Sequence, residues 1–172
     1  MVLLNSEQTP LGTEIKNFDL PNVDGGNFAN KDLSKDIVVI VFICNHCPYV
    51  HEVMPELTEL ARQQKSEVDF VAISSNDPDY REEDSFENMK IFARENGFSF
   101  PYLFDESQAV ARDFGAVCTP ELFTYIRKGD SEYKLAYHGK VEMLGQALQD
   151  LKNSGEVSFE QLPSCGCSIK WK

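Results

Sequence analysis

The chain has 172 residues, with 16 Lys+Arg against 28 Asp+Glu, a formal charge of −12, and 42% of its residues are apolar. That length fits one domain with a sizeable core, and twelve Phe and six Tyr supply enough buriable surface to offset chain entropy, so intrinsic disorder is excluded. The acid excess argues against nucleic acid and anionic membrane as partners, because phosphate contacts need clustered Lys and Arg.

Residues 1–14 read as a polar lead-in without the basic n-region of a secretory signal. From Ile15 to Leu20 apolar and polar residues alternate, which predicts a strand stopped by Pro21. The paired glycines Gly25 and Gly26 mark a turn into a short strand at Phe28. The run Ile37-Val-Val-Ile-Val-Phe-Ile43 is the longest apolar stretch. It falls far short of the roughly 18 residues of a membrane span and reads as a strand buried on both faces. Apolar residues at helical spacing predict a helix from Pro48 to about Ser66, bent at Pro55. Val68 to Ile73 reads as a second buried strand. The following loop carries Asp77, Asp79, Glu82, Glu83 and Asp84; it fits no calcium-loop order and reads as a solvated surface.

A helix is predicted from Ser85 to Asn96, closed by Gly97, then a short strand from Pro101 to Phe104 and a short helix from Gln108 to Phe114. Leu122–Ile126 and Tyr133–His138 flank a turn at Gly129-Asp130 and predict a hairpin; a last helix covers Val141 to Lys152. Residues 156–172, with Pro163, read as an irregular tail. The element order predicts an α/β domain over residues 15–155, with a central mixed sheet flanked by helices and an N-terminal β extension.

Cys44-Asn45-His46-Cys47 joins the buried strand to the first long helix. A helix N-terminus offers unpaired N–H groups and the positive end of the macrodipole, and both favour thiolate over thiol. His46 adds a second stabilising contribution if it is protonated or donating, and Asn45 is the expected helix cap, with Pro48 in the first turn. Two intervening residues on such a turn allow the sulfurs to meet. The same pattern is compatible with a structural zinc half-site lacking two ligands, or with two inert buried thiols. A redox pair needs neither further ligands nor a cofactor. The odd count of five cysteines, in a chain large enough to fold without disulfides, points to reduced, reactive thiols and a cytoplasmic setting.

On these residues the chain resembles the thioredoxin-like superfamily, in its peroxiredoxin-like (redoxin, AhpC/TSA-type) branch, over roughly residues 10–155. The carriers are Phe42-Ile-Cys-Asn-His-Cys-Pro48, the Pro55 kink, Phe114-Gly-Ala-Val-Cys-Thr-Pro120, and the closing hairpin and helix. The resemblance implies a thioredoxin-like fold and a cis peptide at Thr119-Pro120 facing the Cys-x-x-Cys pair. It also implies that Thr119 offers backbone groups to a substrate chain. In a thiol–disulfide oxidoreductase, Cys44, normally the more exposed, would attack and Cys47 would resolve. The partners would be protein thiols or disulfides and a reducing system such as thioredoxin.

In the alternative, a thiol peroxidase with an antioxidant role, Cys47 is peroxidatic. The supporting Pro, Thr/Ser and Arg of that family are then replaced by Ile40, Cys44 and Pro120. A third reading is Cu(I) handling by Cys44, Cys47 and either His46 or His51. Thioredoxins also carry a buried acid before the motif. Here Val38 stands in its place, leaving Glu52 or water as proton acceptor. A thiolate stabilised by His46 implies a disulfide more oxidising than that of thioredoxin.

Three thiols remain. Cys118 reads as a small buried hydrophobe or as a third thiol taking the disulfide from Cys44. Cys165 and Cys167 lie either on a mobile arm that shuttles electrons or on a merely exposed tail, and Ile169 and Trp171 hint that this segment docks.

Overall fold

The computed structural model describes residues 2–172. In chain order it contains β1 (Leu3–Asn5), β2 (Asp19–Pro21), β3 (Asn27–Ala29), β4 (Ile37–Phe42), α1 (Pro48–Gln64), β5 (Val68–Ser74), α2 (Phe86–Glu95) and β6 (Tyr102–Phe104). There follow α3 (Ala109–Phe114), β7 (Cys118–Thr119), β8 (Glu121–Lys128), β9 (Glu132–Gly139), α4 (Leu144–Ser154) and β10 (Cys165–Ser168).

The main sheet has the order β6-β5-β4-β8-β9. β4 runs parallel to β5 and antiparallel to β8, and β5 runs parallel to β6. Every residue of β4 is buried, and its two-residue period divides them between two cores. Val39 and Val41, with Ile43, join Met54 and Leu57 of α1 and Leu144 and Leu148 of α4. Val38, Ile40 and Phe42 face the other way, toward Val110 and Phe114 of α3 and Phe123 of β8. Burying each such side chain contributes about 1.5–3 kcal/mol, so β4 is the mechanical centre of the domain and holds its C-terminal end, where Cys44 follows, in place. The mixed sheet with helices on both faces is the architecture the element order predicts. Among the described residues no helix is long and apolar enough to cross a membrane.

Three segments depart from the sequence expectation. The polar lead-in is fastened to the sheet, since Gly12 and Ile15 donate to the carbonyls of Leu135 and Tyr133 and extend the β9 edge. The strand expected from Ile15 begins only at Asp19, as half of a two-stranded β2-β3 ribbon.

The tail is not irregular. Its residues 165–168 form β10, the centre of a three-stranded sheet in the order β1-β10-β7. Cys167 lies opposite both Leu3 and Thr119. No local alternation signals this strand, because both neighbours are remote in sequence. Gly166 makes the pairing possible: a Cβ there would sit 2.1 Å from the Thr119 carbonyl oxygen. Beyond β10 the chain is tied down by Ile169 N–H to the Val117 carbonyl, Lys170 N–H to Asn76 Oδ1, and Gln108 Nε2 to the Lys170 carbonyl. The Arg112 guanidinium stacks 4.5 Å over Trp171.

Phe123 is fully buried and touches Phe42 and Phe114 edge-on and His138 face-on. Phe123→Ala is expected to cost about 3–5 kcal/mol in urea unfolding, the usual range for removing a buried aromatic. A loss below about 1 kcal/mol would contradict the tight packing of this core.

Candidate active site

Strand β4 ends at Phe42 and helix α1 begins at Pro48, so the four-residue Cys-x-x-Cys turn is anchored by rigid elements at both ends. The N-cap of α1 is Cys47, not Asn45. Asn45 instead pins the turn, its side chain donating to the Glu83 carbonyl and accepting from the Tyr102 hydroxyl. The loop before β8 faces the pair through a cis Thr119-Pro120 peptide. Cys44 Sγ lies 3.4 Å from Thr119 Oγ1, and Cys47 Sγ lies 3.4 Å from the Thr119 carbonyl oxygen. A third sulfur completes the cluster, with Cys167 Sγ 2.7 Å from Cys47 Sγ.

The expected exposure of Cys44 is not found. Cys44 and Cys47 have no solvent exposure and Cys167 has 1%. The physical reason is β10, which pairs with the Thr119 backbone and so occupies the edge that the family resemblance assigns to a substrate chain.

The sulfurs differ in acidity. A hydrogen bond from the Cys44 thiol is the main force that lowers Cys47 to about 4; burial opposes it, and the Cys167 thiol, the Val50 backbone N–H and Thr119 assist. Cys44 is pushed well up because it holds the proton shared with Cys47, is buried and lies near Asp84. Burial, then the hydrogen bond to Cys47 and its charge, push Cys167 up to about 12. Cys118 is also raised, by burial and by Glu121. Its Sγ points to Glu121 Oε2 at 3.6 Å, which makes it a buried protonated thiol. Cys165 is exposed and lines a shallow cleft with Tyr49, Glu52 and Pro120. Glu52 is exposed on that cleft, on the solvent side of the buried sulfurs.

The hydrogen bond of the His46 ring goes to Asp84 rather than to a sulfur. The ring Nδ1 lies 2.5 Å from Asp84 Oδ2, because Asp84 is fully buried and needs partners. The same carboxylate accepts from the backbone N–H of Asn45 and His46 and from Asn76 Nδ2. Burial works against its charge, yet His46, Asn76 and the Asn45 amide together hold its carboxyl below the usual range. Asp84 is therefore no part of a solvated acidic loop.

A ligand atom each from Cys44, His46 and Asp84 lies within 4.8 Å of the others, so a metal reading falls on these three groups. His51 turns its Nε2 to the Asn45 carbonyl at 2.6 Å instead.

Two further residues escaped the sequence reading. Glu121, directly after Pro120, is fully buried and accepts from the Val117 and Cys118 amides, which shapes the cis-proline loop. Its other oxygen meets His138 Nε2 at 2.9 Å. Since His138 Nδ1 accepts from the Thr9 amide, the hydrogen-bond network places the ring proton on Nε2. The one available signal was a lone acid beside an apolar strand.

Two outcomes follow. Absorbance at 240 nm should show a thiolate in the reduced protein that disappears on acidification through about pH 4, and Cys47→Ser should lack it; a transition near the ordinary thiol value would refute the assignment. Asp84 has a lowered folded pKa, so its contribution is present above the unfolded carboxylate pKa of about 3.9 and is lost as pH falls through the folded value. Asp84→Asn should therefore be less stable than wild type at pH 7 in urea unfolding, with the gap closing in acid.

Among similar solved structures, an uncharacterized conserved protein of Geobacillus kaustophilus is 42% identical, covers 100% of this chain and 97% of its own, and superposes with a TM-score of 0.94. The thiol-disulfide oxidoreductase ResA of Bacillus anthracis is 25% identical over 126 residues, 73% of this chain and 69% of that protein. The peroxidoxin BcpB of Mycobacterium tuberculosis shares the fold, with a TM-score of 0.65 at 22% identity over 86% of this chain and 99% of its own. The model of the AhpC/TSA family matches residues 11–134. That span is most of the chain and contains the Cys-x-x-Cys turn and the cis-proline loop, and the chain belongs to the AhpC/TSA family.

Proposed function

We propose that this protein is a thiol–disulfide oxidoreductase in which Cys47 is the nucleophile and Cys44 the resolving thiol. The observation that carries this reading is geometric: Cys44 and Cys47 flank a two-residue turn, Cys47 caps the N-terminus of α1, and both sulfurs face Thr119 beside the cis Thr119-Pro120 peptide. The Cys47 thiolate attacks one sulfur of a substrate disulfide, forming a mixed disulfide and releasing the other as thiolate, which takes the Cys44 proton. The Cys44 thiolate then attacks Cys47 Sγ, forming the Cys44–Cys47 disulfide and releasing the reduced substrate. Which direction prevails depends on the partner couple. Protein thiols or disulfides are the substrate class, with a thioredoxin-like reducing system as donor. Five cysteines in the chain suit a cytoplasmic, reducing setting.

A second reading, peroxide reduction, is favoured by the same Cys47 thiolate and by a neighbouring thiol able to condense with a sulfenic acid. Ile40, Cys44 and Pro120 stand where that chemistry places Pro, Thr or Ser, and Arg. This separates the two readings.

Parallel turnover with insulin disulfide and with hydrogen peroxide decides between them. Insulin reduction lost to background in Cys47→Ser, beside slow peroxide turnover, is expected; rapid peroxide turnover beside inert insulin would reverse the ranking. A thiolate this stable favours the reduced form, so the Cys44–Cys47 couple is expected above the approximately −270 mV of thioredoxin in equilibrium with a glutathione buffer. A value below that would remove the Cys47 assignment.

A further inference from the structure

The geometry points to Cys167 as a built-in exchange partner of Cys47, presented by β10 as a strand that substitutes for substrate. This rests on the oxidoreductase reading and adds a second disulfide, Cys47–Cys167, in exchange with Cys44–Cys47.

Several independent features place that strand. Cys167 lies opposite Thr119 in antiparallel register, so β10 takes the backbone edge of β7 beside the sulfurs. An extended peptide recognised by strand addition needs such an edge, and here the chain itself fills it. Gly166 permits the approach, since any side chain would run into the Thr119 carbonyl. Its flanks are fastened: Ser164 N–H donates to Ser6 Oγ and Ser164 Oγ to the Gly139 carbonyl. On the other side, Gln108 donates from Nε2 to the Lys170 carbonyl and accepts at Oε1 from Lys172 N–H. Gln108 does this from a left-handed backbone, φ 65°, a conformation uncommon for a residue other than glycine. The sulfur contact of 2.7 Å is thus the product of two bolted ends, not of a swinging arm.

The chemistry needs no oxidant beyond the one that made the first disulfide. In the oxidised protein Cys167 gives up its proton and its sulfur attacks Cys47 Sγ. The Cys47–Cys167 bond forms, the Cys44–Cys47 bond breaks, and Cys44 leaves as thiolate and takes up the proton. The reverse step restores the starting disulfide, so the count of electrons and protons is unchanged. While β10 is docked, both motif sulfurs are closed to solvent, so a protein substrate must displace the strand to reach Cys47.

The test is a non-reducing peptide map after stoichiometric oxidation with glutathione disulfide, acid quench and alkylation, on wild type and Cys44→Ser. The expected result is both linkages in wild type and the Cys47–Cys167 linkage alone in Cys44→Ser. A Cys44–Cys47 linkage in wild type with no Cys47–Cys167 linkage in either protein overturns the proposal and leaves the oxidoreductase reading intact. Absence of the Cys44–Cys47 linkage together with inert insulin would instead defeat that reading. If Cys44→Ser does not fold, the wild-type map decides alone. Gly166→Ala should undock the strand and speed Cys47 alkylation by iodoacetamide roughly tenfold, the equivalent of about 1.4 kcal/mol of lost closure. An unchanged rate in the folded variant would show that β10 does not gate the sulfurs.

Discussion

Two backbones meet at Gly166 and Thr119 with no room for a side chain between them, and the organisation of the site depends on that approach. It brings the C-terminal strand within reach of the cis-proline loop, closes the sulfur cluster to water, and sets Cys167 against Cys47. A low-dielectric, closed site strengthens each hydrogen bond to the Cys47 thiolate, while the proton shared with Cys47 keeps Cys44 protonated and burial does the same for Cys118 and Cys167. The four buried thiols are chemically alike, and their placement leaves one readily ionised and three protonated.

Around this cluster the protein uses buried carboxylates as fasteners. Asp84 collects the amides of the Cys-x-x-Cys turn and the ring of His46, and Glu121 collects the amides before the cis-proline. Each carboxylate fixes one side of the gap in which the sulfurs sit. A buried acceptor of this kind is costly if left unpaired, so the two loops cannot drift without losing several charge-assisted hydrogen bonds at once. The distance between Thr119 and the two motif sulfurs is held by this arrangement rather than by packing alone.

The rigid part lies beneath. β4 divides its side chains between two cores, and its end delivers Cys44, while α1 begins one residue after Cys47. Function is therefore carried by a short turn between two immobile elements. The one feature that must move for a large substrate is a strand clamped at its flanks, which separates the stability of the fold from access to the site.

The sequence by itself determined the elements whose signals are local. The β-branched run of β4, the helical spacing after Pro48, the hairpin about Gly129, and the Cys-x-x-Cys turn at a strand-to-helix junction all follow from period, propensity and turn chemistry within a few residues. Only the tertiary structure decided what depends on distant partners. Strand β10 pairs with β1 and β7, 46 or more residues away in the chain, so nothing in its own Cys-Gly-Cys-Ser pattern announces a strand. Asp84 is indistinguishable in sequence from its solvated neighbours until His46 and Asn76 close around it. The order of thiol acidity was equally hidden, because burial and hydrogen bonding set it, and both arise only when remote segments meet.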